Sequence, residues 1–182
     1  MRIAYADPPY PGCATKNVGT IGAYGGDTDP YDGEVAEVDH AELVARLETY
    51  DGWVLHSNVG GLRVIVPLLP ADARVMAWVK PFAAFKRNVP VAYAWEPVIV
   101  KAARKPEVAG RVVMRDWIAE PITMKRGLAG AKPDAVCRWA FEVVGASPDD
   151  ELDDLYPGTG AVGRAWDAWR SQLGLFAPDH SS

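Results

Sequence analysis

Two short stretches of this chain carry residue types that could do chemistry. The first is Asp7-Pro8-Pro9-Tyr10, directly after the strand-like run Met1-Arg2-Ile3-Ala4. A turn would account for it: Asp7 can accept a bond from a backbone N–H two residues on, and two prolines stop a strand. An exact match to these four letters should nevertheless arise by chance in only roughly one chain in a thousand of this size. The second is Gly158-Thr159-Gly160-Ala161-Val162-Gly163, a GxGxxG run between a strand-like and a helix-like segment. Glycines there let the backbone turn tightly and approach a ligand, and the N-terminus of the following helix favours an anionic group.

The elements that must position these residues can be read from composition and pattern. The chain has 182 residues, 49% hydrophobic and 24% charged, enough for one domain with a proper core. Apolar runs are too short to span a membrane, and strand-like residues run straight into the first motif, so neither a spanning helix nor a signal peptide is expected. Two cysteines, Cys13 and Cys137, form no CxxC and point to a reducing cytoplasm. His40, His56 and His180 lack metal-site spacing, and no metal is expected. The net charge of −5 argues against non-specific nucleic-acid binding by the whole surface, but Lys101, Arg104, Lys105, Arg111, Arg115, Lys125 and Arg126 give one region a basic excess. That region reads as a solvated loop or as a phosphate-contacting edge.

A glycine-rich loop spans Gly19 to Gly33. Asp39, with Glu42 three residues on, marks a helix start, and Leu43, Val44 and Leu47 form its stripe. Trp53-Val54-Leu55 reads as a buried strand leading to His56-Ser57-Asn58. A short helix is expected between Gly60 and Leu69, then strands at Arg74–Val79 and Val91–Val100, with the basic stretch irregular. Pro133 opens a helix carrying Val136, Trp139, Ala140 and Val143; a last strand at Glu151–Leu155 precedes a helix with Val162, Ala165, Trp166 and Trp169 on one face. Strands alternating with helices predict a single α/β domain over residues 1–182.

A nicotinamide site would need a further strand ending in an acid about 20 residues beyond the glycines. Only a poor stretch with Asp179 follows, so that reading does not fit. The pair of motifs instead resembles the amino-methyltransferases that use S-adenosylmethionine (SAM), and more closely the small bacterial and phage DNA adenine-methyltransferase-like proteins with permuted motif order. Asp154-Leu155-Tyr156-Pro157-Gly158-Thr159-Gly160 resembles their cofactor loop, Lys132-Pro133 their Lys-Pro cofactor element, and Trp95-Glu96-Pro97 their aromatic-Glu strand. The resemblance implies a Rossmann-like, doubly wound, mostly parallel sheet, circularly permuted and shortened at the C-terminus. The first strand falls near residues 1–10, a short recognition-like segment near 101–131, and the cofactor loop and helix near 151–173.

The resemblance also implies roles. SAM would lie against Ala6, Asp7, Lys132, Pro133, Asp154, Tyr156, Pro157, Gly158, Thr159 and Gly160. Asp7 and the carbonyl of Pro8 would each accept an N–H from an exocyclic amine, Pro8 and Pro9 would stiffen that carbonyl, and Tyr10 would stack on the base. Ser57 and Asn58 would line the crevice, with Arg104, Lys105 and Arg111 on the nucleic acid, and the loop from Lys16 to Gly33 would serve as a lid or lie idle. DNA is the expected partner, with RNA, cytosine N4 or a small amine as other acceptors. A homo-oligomer, a partner subunit and a non-catalytic cofactor-binding role also remain open.

Overall fold

The computed structural model describes residues 1–10, 38–82, 90–105, 113–123 and 131–174. Among these residues six strands, β1 (Arg2–Ala6), β2 (Gly52–His56), β3 (Arg74–Val79), β4 (Trp95–Lys101), β5 (Trp117–Ala119) and β6 (Glu151–Asp154), form one sheet in the order β5-β3-β4-β2-β1-β6. β1 pairs in parallel with both β2 and β6, and β3 with β5; β4 alone runs against its neighbours β2 and β3. The sheet is therefore mostly parallel, with one reversed strand near its middle.

Helices cover both faces. α1 (His40–Leu47) and the single turn α2 (Leu62–Ile65) lie on one; α3 (Asp134–Val143) and α4 (Ala161–Gly174) lie on the other. Alternation along β1 explains the division, because successive side chains point to opposite faces. Ala4 and Ala6 join Trp53, Leu55 and Ile99 under Leu43, Val44 and Leu47 of α1. Ile3 and Tyr5 join Val54, Val98 and Val100 under α3 and α4. There the rings of Phe141 and Trp166 meet edge to face at 5.0 Å, and Trp166 stacks on Trp169 at 5.1 Å. No helix among the described residues is long and apolar enough to cross a membrane.

Local signals set most element ends. Asp39 caps α1, its Oδ1 accepting from the N–H groups of Ala41 and Glu42 at 2.9 and 3.1 Å. Pro133 caps α3, and Gly145, at φ 75°, ends it. Two expectations change. The strand expected from Val91 begins at Trp95, where pairing with Val79 starts. The basic stretch expected to be irregular contains β5, which completes the sheet beside β3 and which its short length concealed.

Gly52 opens β2 where the backbone passes against Ala103: a Cβ there would lie 2.4 Å from the Ala103 nitrogen. Gly52 is held in the β2 ladder, and Ala103, just past β4, is tied by its N–H to the Val144 carbonyl at 2.8 Å. Gly52→Ala is expected to destabilise the fold by about 2 kcal/mol or more, read as a lower urea midpoint at unchanged slope. A midpoint equal to wild type would contradict this packing.

Candidate active site

β1 leads to α1 on one face of the sheet, while β6 leads into α4 on the other. The chain thus passes to opposite faces after these two adjacent strands, the kind of switch point at which such sheets bind ligands in a crevice beyond the strand ends. The two strands are in register from Arg2↔Glu151 to Tyr5↔Asp154, and the Leu155 N–H continues the ladder to the Tyr5 carbonyl at 2.9 Å. Asp7–Tyr10 and Tyr156–Gly160 thus leave the same edge side by side.

Beside Asp7 the structure builds a half-buried polar cluster. Lys132 Nζ, on a side chain only 7% exposed, lies 2.8 Å from Asp7 Oδ2 and 3.8 Å from Glu96 Oε2. It also donates to the Tyr10 hydroxyl at 3.2 Å. That hydroxyl sits 3.0 Å from Glu96 Oε2 and 3.3 Å from Asp7 Oδ1. Lys80 pairs with Glu96 Oε1 and lies over the Trp78 ring, 4.8 Å from its centroid. Two carboxylates and two ammonium groups balance in charge, which lets them sit together away from water. Reversal of β4 makes this possible: the start of that strand, with Glu96, comes to the edge where β1 and β3 end.

Beneath the cluster the buried groups are held neutral. The Tyr5 hydroxyl pairs with His56 Nε2 at 2.7 Å. Burial, then the neighbouring Lys132 charge, holds the His56 imidazole well below its usual range. Burial pushes the Cys137 thiol up to about 12 and raises the Tyr5 and Tyr10 phenols. Burial, with Asp7 and Asp153 adding to it, also raises the Asp154 carboxyl; a bond from the Tyr156 N–H opposes the shift.

The glycine loop is shaped for close approach. Gly158 and Gly160 have φ of 43° and 72°, values that favour glycine. A Cβ on Gly160 would stand 3.0 Å from Arg164 Nη1, which itself donates to the Thr159 carbonyl at 2.9 Å. A cleft of about 510 Å³ opens between the first turns of α3 and α4, lined by Glu120, Ile122, Lys132, Pro133, Ala161 and Arg164 among others. Lys132 joins cleft and cluster.

Most expected site residues gather at this edge: Ala6 and Asp7–Tyr10 after β1, Lys132 and Pro133 before α3, and Asp154 with Tyr156–Gly160 after β6. Ser57 and Asn58 end β2 nearby, but Ser57 is fully buried and Asn58 Oδ1 accepts from the Gly61 N–H at 2.6 Å, so both shape the turn there. Arg104 lies apart from them. It forms a two-pronged pair with Asp150, at 2.7 and 2.8 Å, and donates to the Gly145 carbonyl at 2.8 Å. It follows the far end of the reversed strand, at the sheet edge away from Asp7, and Lys105 follows it there. Arg111 and the Lys16–Gly33 loop lie outside the described residues. Glu96 and Lys80 were missed as site residues; the Trp95-Glu96-Pro97 resemblance was the signal available for the first.

No family model matches the chain, and no curated protein matches it in sequence. Among solved structures, one with a similar fold is the crystal structure of the M1.HpyAVI–SAM complex, at TM-score 0.55 and 16% identity over 93% of this chain and 77% of that one. A crystal structure of M1.HpyAVI superposes at TM-score 0.49 with 18% identity, over 93% and 76% of the two chains. The first likeness establishes a shared doubly wound, Rossmann-like fold.

Asp150 gives a structural role of Arg104 a test. Burial alone would raise that carboxyl, but Arg104, the Met1 ammonium at 3.0 Å and the Ser147 N–H hold it at about 2, below its ordinary 3.8. A depressed carboxyl stabilises the fold above its unfolded-state value and loses that contribution as pH falls towards the folded value. Arg104→Gln is therefore expected to lower the melting temperature at pH 7, with the gap to wild type closing below about pH 4. Nucleic-acid affinity should keep its salt dependence; a flattened one would return Arg104 to the substrate.

Proposed function

We propose that the chain is a SAM-dependent N-methyltransferase acting on an exocyclic amine of a nucleobase. Adenine N6 in DNA is the first candidate; RNA, cytosine N4 and small amines are the other acceptors. One observation carries the reading: parallel pairing of β1 with β6 brings Asp7-Pro8-Pro9-Tyr10 and the glycine loop to one crevice. The fold shared with a structure crystallised as a SAM complex supports it. So does the sequence resemblance on both motifs.

The residues present fit the cofactor. The positive φ values at Gly158 and Gly160 keep the loop backbone bare where a ligand would lie. Asp154, Tyr156–Gly160, Lys132 and Pro133 would hold it, and Lys132 and Pro133 also line the cleft between α3 and α4. When bound, SAM supplies an electrophilic methyl group on a sulfonium. The chain's own contribution is orientation. The lone pair of an aromatic amine is delocalised into its ring. It must be turned out of the plane before it can attack. The Asp7 carboxylate and the Pro8 carbonyl can each accept one N–H and hold the nitrogen in that geometry. Buried Pro8 and its neighbour Pro9 fix the direction of the carbonyl. Asp7 serves as an acceptor held by Lys132, and preorganised charge and position do most of the work.

Two variants separate the motifs. Asp7→Ala removes an acceptor for the substrate amine and leaves the glycine loop intact; turnover should fall by about a hundredfold or more, a far larger loss than the one in SAM affinity that follows from unpairing Lys132. Gly160→Asp puts a charged side chain into the loop at a positive φ and should abolish SAM binding itself. Calorimetric titration of SAM into both, beside a methyl-transfer assay, reads the split. Normal turnover in Asp7→Ala would reduce the first motif to a turn.

A further inference from the structure

The Tyr10 hydroxyl carries one proton and has two carboxylates in reach, so it can donate to only one at a time. Glu96 Oε2 is nearer, at 3.0 Å, than Asp7 Oδ1, at 3.3 Å. Lys132 donates to the same hydroxyl oxygen at 3.2 Å while sitting 2.8 Å from Asp7 Oδ2. If Tyr10 gave its proton to Asp7, Oδ1 would spend one of its acceptor positions and part of its charge on the hydroxyl, and would be a poorer acceptor for a substrate N–H. With the proton on Glu96, Oδ1 of Asp7 faces only the lone-pair side of the hydroxyl and has an acceptor position to offer.

We propose that Glu96 is a positioning residue for Asp7: it takes the Tyr10 proton and shares Lys132, and so leaves Asp7 Oδ1 open to the substrate amine. Lys80, paired with the other Glu96 oxygen, keeps a second carboxylate tolerable so close to Asp7. The proposal rests on the reading of Asp7 as the amine's acceptor. It adds that Tyr10 does more than stack: its hydroxyl must be turned away from Asp7 for the site to work. A Glu96 that merely neutralised Lys132 would have no such dependence on the Tyr10 hydroxyl.

The first measurement needs neither cofactor nor turnover. In protein labelled with carbon-13 at the tyrosine Cζ position, the Tyr10 resonance is assigned by its loss in Tyr10→Phe. Glu96→Gln should move it, and Asp7→Asn should leave it nearly in place; the reverse pattern would put the proton on Asp7 and overturn the proposal. The second is kinetic. Glu96→Gln should lower kcat by about tenfold to a hundredfold, the scale of a misplaced reacting group, with SAM affinity within about twofold. Adding Tyr10→Phe removes the misdirected proton and should raise turnover above that of Glu96→Gln alone. Unchanged kcat in Glu96→Gln, or no recovery in the double variant, would refute the assignment. If Glu96→Gln fails to fold by circular dichroism, Glu96→Asp, which draws the same charge back from Tyr10, should show the same losses on a smaller scale. A wild-type protein that methylates no amine would defeat the functional reading itself, a result visible before any variant is made.

Discussion

The ion pair between Lys132 and Asp7 is the contact on which the rest of the site depends. An ammonium on a side chain 7% exposed, paired at 2.8 Å, is tolerated only if carboxylates and lone pairs surround it. Asp7, Glu96 and the Tyr10 oxygen meet that need, and they come from the end of β1, the start of β4 and the loop after β1. Lys132 stands just ahead of α3. One buried charge therefore ties the first strand, the reversed strand and the helix over them into a fixed arrangement. Removing either partner would strand a charge in a site with little water to receive it, so the pair restricts geometry more than it adds stability.

The same arrangement keeps other chemistry quiet. His56 and Cys137 lie directly beneath, and both belong to residue types that often act as bases or nucleophiles. Burial and the Lys132 charge keep the imidazole neutral, and burial keeps the thiol protonated. The ionised groups are confined to the rim of the crevice, next to the rigid Pro8-Pro9 backbone. Such a site is suited to orienting a reactant that is attacked along one line. It offers little to a reaction that needs a strong base or a covalent intermediate.

Much of this was legible in the sequence, for local reasons. Asp39 with its helical stripe, Pro133 ahead of its own, and glycines flanked by a strand and a helix are signals confined to a few neighbouring residues. The pairing of the two motifs was legible too, because each follows a strand and such strands end at a common edge. What sequence reasoning missed depends on strand direction. Glu96 and Lys80 reach the site because β4 runs opposite to its neighbours, bringing its start level with the end of β3. The same reversal carries Arg104 away to the opposite edge, where Asp150 holds it. Counting basic residues along the chain could not reveal that, since local charge excess carries no information about which end of a strand it follows. β5 was hidden by its three residues, too few to show a period.

The most direct test of the central claim is transfer of a labelled methyl group from SAM by the wild-type protein. Duplex DNA, single-stranded DNA, RNA and free adenine would be offered in parallel, with the modified nucleoside identified by mass spectrometry. Label on an exocyclic amine, with adenine N6 in DNA the first candidate, is the result the proposed function predicts. SAM that binds in the crevice while no amine receives its methyl group would contradict it, and would leave the site as a place where the cofactor is held without being used.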